Sequence, residues 1–108
     1  MKYQRAIVWF RNDLRLTDNE TLHQALVMAK EVIPVFCFDP RHFEATELGF
    51  SKTGPFRAKF LFESVLDLRK NLRETGADLI LLRGKPEVEL ITLASRVKAD
   101  AIFYSEEV

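Results

Sequence analysis

Arg11, Asp13 and Arg15 alternate in sign over five residues. They either pin a loop through a salt-bridge ladder, or the two guanidiniums accept an anion or dock on a partner surface. Glu63 is a second candidate, because Phe60, Phe62 and Leu66 lie beside it in the sequence. A carboxylate in that company turns outward or is held by a donor. His23 and His42, with no clear nucleophile, make neither a metal site nor a triad. No metal site and no catalytic residue are expected. Cys37 is the one cysteine, which excludes an intrachain disulfide framework and a Cys-rich zinc site. Its place inside an apolar run reads as a small core residue, not a reactive thiol. The turn Phe10-Arg11-Asn12-Asp13-Leu14-Arg15-Leu16 holds no glycine, so the dinucleotide fingerprint is absent. Gly49-Phe50-Ser51-Lys52-Thr53-Gly54 has the wrong spacing for a phosphate loop, and no strand runs directly into it.

The elements that must position these groups show in the hydrophobic period. Ala6 to Phe10 is a continuous apolar run, as expected of a strand buried on both faces. Thr17-Asp18-Asn19-Glu20 has the spacing of a capping box, and Leu22, Ala25, Leu26 and Ala29 follow at helical intervals, predicting a helix over about 18–30. Val32 to Phe38 is the second strand, with Pro34 best placed near its start or at an edge. Residues 39–54 form a long loop; Phe38, Phe43, Phe50 and Phe56 fall in or beside it, which favours an ordered loop closing over a flat ligand or packing on another domain. From Pro55, the stripe Leu61, Val65, Leu68, Leu72, with Ala58, Phe62 and Leu66 beside it, predicts a helix covering much of a sheet and ending at Gly76. Leu79 to Leu82 is a third strand, Pro86 opens a helix that Arg96 and Lys98 close, and Ala101 to Tyr104 is a fourth strand.

The order βαβαβαβ predicts an α/β doubly wound parallel sheet, Rossmann-like, in three layers with strand order 3-2-1-4. Ligands of such sheets bind beyond the carboxyl ends of the strands, at the switch point. That selects segments 11–17, 39–54, 83–86 and 105–108, with Arg11, Arg15, Arg41, His42, Arg83 and Lys85 against Asp13, Asp39, Glu106 and Glu107. The formal charge is zero, whereas a domain gripping a nucleic-acid backbone ordinarily carries a basic excess. No apolar run approaches the roughly 18 residues of a membrane helix, and the first residues lack a signal-peptide layout. A cytoplasmic domain with no membrane segment is expected.

Trp9-Phe10-Arg11-Asn12-Asp13-Leu14-Arg15-Leu16-Thr17-Asp18-Asn19 closely resembles the opening of the photolyase/cryptochrome family. Asp39-Pro40-Arg41-His42-Phe43, Lys52-Thr53-Gly54, Phe60-Leu61-Phe62-Glu63-Ser64-Val65, Asp67-Leu68-Arg69-Lys70-Asn71-Leu72 and Gly84-Lys85-Pro86-Glu87 are similar to later segments, in the same order. Asn12, Asp39 to Phe43 and Lys52 to Gly54 are most like DASH-type cryptochromes.

The resemblance implies an N-terminal α/β domain holding a light-harvesting antenna, methenyltetrahydrofolate or a deazaflavin or FMN. It also implies a larger helical domain that binds FAD and damaged, single-stranded DNA and repairs cyclobutane pyrimidine dimers by light-driven electron transfer. Glu63 matches a glutamate that contacts the folate antenna, Glu106 and Glu107 fall where strand four delivers antenna contacts, and Phe38 opens the nearby aromatic loop. Arg11, Asp13 and Arg15 then bridge to the helical domain. The family's fifth strand and FAD-binding domain would follow Val108, so residues 1–108 read as a truncated domain without lyase activity of its own. A competing reading is a non-catalytic interaction domain that self-associates through its sheet edge or aromatic loop.

Overall fold

The computed structural model describes residues 2–11, 14–39 and 54–105, apart from the side chains of 54–59. Its elements are β1 (Tyr3–Phe10), α1 (Glu20–Met28), β2 (Ala29–Phe38), α2 (Gly54–Glu74), β3 (Ile80–Arg83), α3 (Pro86–Val97) and β4 (Ala101–Phe103). The strands form one parallel sheet in the order β3-β2-β1-β4, the expected α/β doubly wound topology. Alternation along each strand feeds two cores. Val8, Phe10 and Phe36 pack with Leu22 and Ala25 of α1 and Val65, Leu68 and Leu72 of α2. Ile7 and Val35 pack on the opposite face with Leu90 and Leu93 of α3. This is what right-handed crossovers produce: β1 to β3 step one way across the sheet, and the β3-to-β4 return carries its helix to the other face. Ile7 and Phe10 are fully buried, each worth about 1.5–3 kcal/mol over exposure.

The helix ends explain where the predicted boundaries moved. Thr17 is exposed, and α1 starts later, at Glu20, capped by Asn19. The buried Asn19 side chain accepts from the Leu22 N–H at 3.0 Å and donates to the Arg15 carbonyl at 3.0 Å. An amide does both jobs where a hydroxyl cap covers the helix end alone. Ala29, read from its spacing as helical, is already extended (φ −122, ψ 144), so β2 begins with no intervening loop. Pro34 therefore falls mid-strand in an interior strand, a correction to its expected place near the start or at an edge. It is accommodated because β3 pairs only from Val35 onward, leaving that flank of β2 open at the proline. Gly76 ends α2 at φ +91, with its N–H on the Arg73 carbonyl (3.1 Å) and that of Ala77 on the Leu72 carbonyl (3.0 Å), a Schellman turn. The apolar stripe of α2 is only half used: Val65, Leu68 and Leu72 are buried, while Phe60, Phe62 and Leu66 remain exposed.

Candidate functional site

All four strands point their carboxyl ends to one rim, and a cleft of about 600 Å³ opens there. The end of β1 supplies Trp9, Phe10 and Arg11; β4 and the residue after its end supply Ile102 and Tyr104. Phe36, Cys37 and Asp39 come from β2 and its exit, and the first turns of α3 bring Glu87, Leu90 and Ile91. The cleft thus straddles β1 and β4, the switch point at which the strand order reverses. Its size and its mix of an apolar lining with a few polar groups match a site for a small flat ligand.

An aromatic and cationic stack forms one wall. The Trp9 and Tyr104 rings are 5.4 Å apart at 52°. The Arg11 guanidinium lies 4.8 Å from the Trp9 centroid and 6.0 Å from that of Tyr104. It also donates from Nη1 to the Ser105 carbonyl at 3.2 Å. Such stacking suits the planar guanidinium and strengthens where water is partly excluded.

Opposite this wall the chemistry is acidic and inert. The Cys37 thiol donates to the Gly84 carbonyl at 3.4 Å. Burial, reinforced by the charges of Asp39, Glu89 and Glu87, pushes the thiol from its ordinary 9.0 to about 11, so it stays protonated at neutral pH. Gly84 is required at this corner by φ +140, and its N–H donates to the Phe38 carbonyl at 2.9 Å. Pro86 opens α3 with Glu87 and Glu89 in its first turn, which already answer the positive helix end.

The candidate residues fall in different places. Arg11 is in the cleft wall. Arg15 is exposed and outside the lining, and its carbonyl receives the Asn19 amide. Asp13, Glu106 and Glu107 lie outside the described residues, as do Arg41 and His42. Glu63 is exposed on α2 beside Phe62, and Phe38 is half-buried with its ring 6.1 Å from that of Phe62. Neither Glu63 nor Phe38 lines the cleft; Leu61, two residues before Glu63, does. Sequence reasoning missed Tyr104 as a site residue. Its signal was an aromatic at the end of the strand neighbouring β1, opposite Trp9 across the switch point. Among the described residues no group of His, Cys, Asp and Glu side chains is arranged to hold a metal ion. No helix among them is long and apolar enough to cross a membrane.

A family model described as DNA photolyase matches residues 6–108. The chain belongs to the DNA photolyase family. This photolyase-family chain is 53% identical over 103 residues to the blue-light photoreceptor PHR2 of Arabidopsis thaliana, covering 95% of its own length and 23% of the relative's. It is 48% identical to the cryptochrome DASH of Gloeobacter violaceus over 108 residues, all of this chain and 22% of the relative. Among solved structures, the Synechocystis cryptochrome superposes with a TM-score of 0.88 at 44% identity, over 100% of this chain and 23% of that one. The photolyase-family chain thus spans under a quarter of the length of these relatives, and its sheet is the α/β sheet of their fold.

Proposed function

We propose that this chain is the antenna-binding α/β domain of a DASH-type cryptochrome or deoxyribodipyrimidine photolyase. The supporting observation is the cleft across β1 and β4, with its Trp9–Arg11–Tyr104 wall and apolar lining at the sheet's ligand-binding rim. A bound antenna absorbs near-ultraviolet or blue light and passes the excitation to an FAD held by a helical domain. That domain receives single-stranded damaged DNA and carries the dimer-splitting electron transfer. The residues of this chain bind and orient the chromophore and break no bond. A flavin or deazaflavin ring fits the cleft. For a folate antenna, Glu63 accepts from the pterin N–H groups beside the exposed Phe60 and Phe62, with Phe38 supporting Phe62. Glu106 and Glu107, next in sequence after Ser105, are assigned antenna contacts by the family resemblance alone. Asp13 and Arg15 are assigned to contacts with the helical domain by the family resemblance alone.

The test is titration with methenyltetrahydrofolate and, separately, FMN. It uses the 108-residue chain and a fusion to the remaining length of the Gloeobacter cryptochrome DASH. A shifted near-ultraviolet band and quenched Trp9 emission are expected with one of the two. Glu63→Gln is expected to weaken folate binding about tenfold, the effect of losing one charge-assisted hydrogen bond, and to leave FMN binding unchanged. No spectral change with either ligand in either protein overturns the antenna reading; unchanged folate affinity in Glu63→Gln removes that residue's role alone.

A further inference from the structure

We infer that Arg11 is a positioning residue: by stacking on Trp9 and Tyr104 and donating to the Ser105 carbonyl, it latches the chain leaving β4 against the end of β1 and so fixes one wall of the cleft. The functional consequence rests on the antenna-binding reading above. The latch itself does not.

The need for a latch follows from the ladder. β4 is only three residues long, and its pairing with β1 stops at Phe103, opposite Val8. Tyr104 and Ser105 follow with no ladder bond to β1, and Tyr104 is 51% exposed. From β1's side this segment meets the Trp9 ring, 5.4 Å from that of Tyr104, and the Arg11 guanidinium, 6.0 Å from the Tyr104 ring and 3.2 Å from the Ser105 carbonyl. Arg11 therefore bridges two strand ends at the point where hydrogen-bonded sheet gives out. A guanidinium can do this because its plane offers a face to aromatic rings while its edge keeps directed donors. A lysine ammonium offers a point charge and no plane. Within the alternating Arg11–Asp13–Arg15 pattern, Arg11 reaches two rings and a carbonyl of its own chain. A ligand that rests on the Trp9–Tyr104 wall binds better when that wall is preformed, because the ordering cost is already met in the free protein.

Trp9 is the chain's single tryptophan, so its emission reads the latch without any ligand. In Arg11→Leu, Trp9 emission is expected to shift to longer wavelength, and its quenching by acrylamide to increase, with the far-UV circular dichroism unchanged. Arg11→Lys should restore neither signal. Affinity for FMN, the ligand assigned to the cleft, should fall about tenfold in both variants, the size of one partly desolvated cation–π contact with its hydrogen bond. Arg11→Leu combined with Tyr104→Ala should lose no more affinity than Tyr104→Ala alone, since the two share one interaction. Wild-type emission and quenching in Arg11→Leu, or full recovery in Arg11→Lys, overturns the latch. If the wild-type chain takes up no chromophore while Arg11→Leu still moves the Trp9 signals, the antenna reading fails and the latch stands.

Discussion

Cys37 lines the cleft at the carboxyl rim, yet its surroundings keep its thiol unreactive. Its thiol is buried, tied to the Gly84 carbonyl and surrounded by the charges of Asp39, Glu89 and Glu87. All of these disfavour the thiolate, which is the reactive form. Native chain at pH 8 is therefore expected to react with iodoacetamide far more slowly than chain unfolded in guanidinium, and a comparable rate in the two states would contradict the raised value. The sign of the linkage follows from the same shift. Between pH 9, where an unfolded thiol ionises, and pH 11, the native chain keeps a proton that the unfolded chain has lost. Folding stability should fall with rising pH across that window, and Cys37→Ala should lose that part of the slope in a denaturant series. The inert thiol was legible from sequence, because an apolar run around a lone cysteine already implies burial. The pairing of Trp9 with Tyr104 was not: the order 3-2-1-4 already set β4 beside β1, but the register that brings these two rings together is not written in the sequence.

At the scale of elements, the parts that read well are those whose signal is local and repeated. The periodic apolar positions of α2 with Gly76 after them, and Pro86 with Arg96 and Lys98 at the two ends of α3, marked their elements within a residue or two. The α1 region misled because two local signals compete there. Thr17 and Glu20 have the spacing of a capping box, but Asn19 can satisfy both the helix end and the preceding loop, and tertiary burial selects it. Asn19→Ala leaves the Leu22 N–H and the Arg15 carbonyl without this partner and should cost about 1–2 kcal/mol in urea unfolding. Asn19→Asp keeps the acceptor, loses the donor and should fall between. Thr17→Ala should cost under about 0.5 kcal/mol, as for an ordinary surface change; equal losses at 17 and 19 would return the cap to Thr17. The wide stripe of α2 misled differently: periodicity alone cannot tell Leu61 and Val65, which pack into the core, from Phe60, Phe62 and Leu66, which stay exposed. That unburied apolar strip is where Glu63 stands, so the site residue matched by resemblance occupies the part of the helix that the core does not use.

The two rims of the sheet are held together in different ways. At the amino rim, the Asp100 carboxylate accepts from the N–H groups of Gln4 (2.9 Å) and Arg5 (3.2 Å), and the Asp100 N–H donates to the Arg5 carbonyl (2.7 Å). Arg5 in turn pairs with Glu31 at 2.8 Å and donates to the Val97 carbonyl at 2.6 Å, joining β1, β2 and the end of α3. The carboxyl rim is held instead by the Trp9–Arg11–Tyr104 stack, which surrounds an open cleft. A parallel sheet makes this division natural, because every strand enters at one rim and delivers its loop residues at the other. Asp100→Ala should therefore lower the thermal midpoint by roughly 5 °C, the equivalent of about 1 kcal/mol in a domain of this size, while chromophore affinity stays at the wild-type value. Asp100→Asn, which keeps an acceptor oxygen, should recover much of the loss. Tyr104→Ala should do the reverse: a 51% exposed ring gives up little on truncation, so the midpoint moves by a degree or two, while affinity falls about tenfold, as in Arg11→Leu. Calorimetry and chromophore titration on the same three variants check the division. Weakened affinity in Asp100→Ala measured well below its midpoint would show that the amino rim sets the cleft's shape after all.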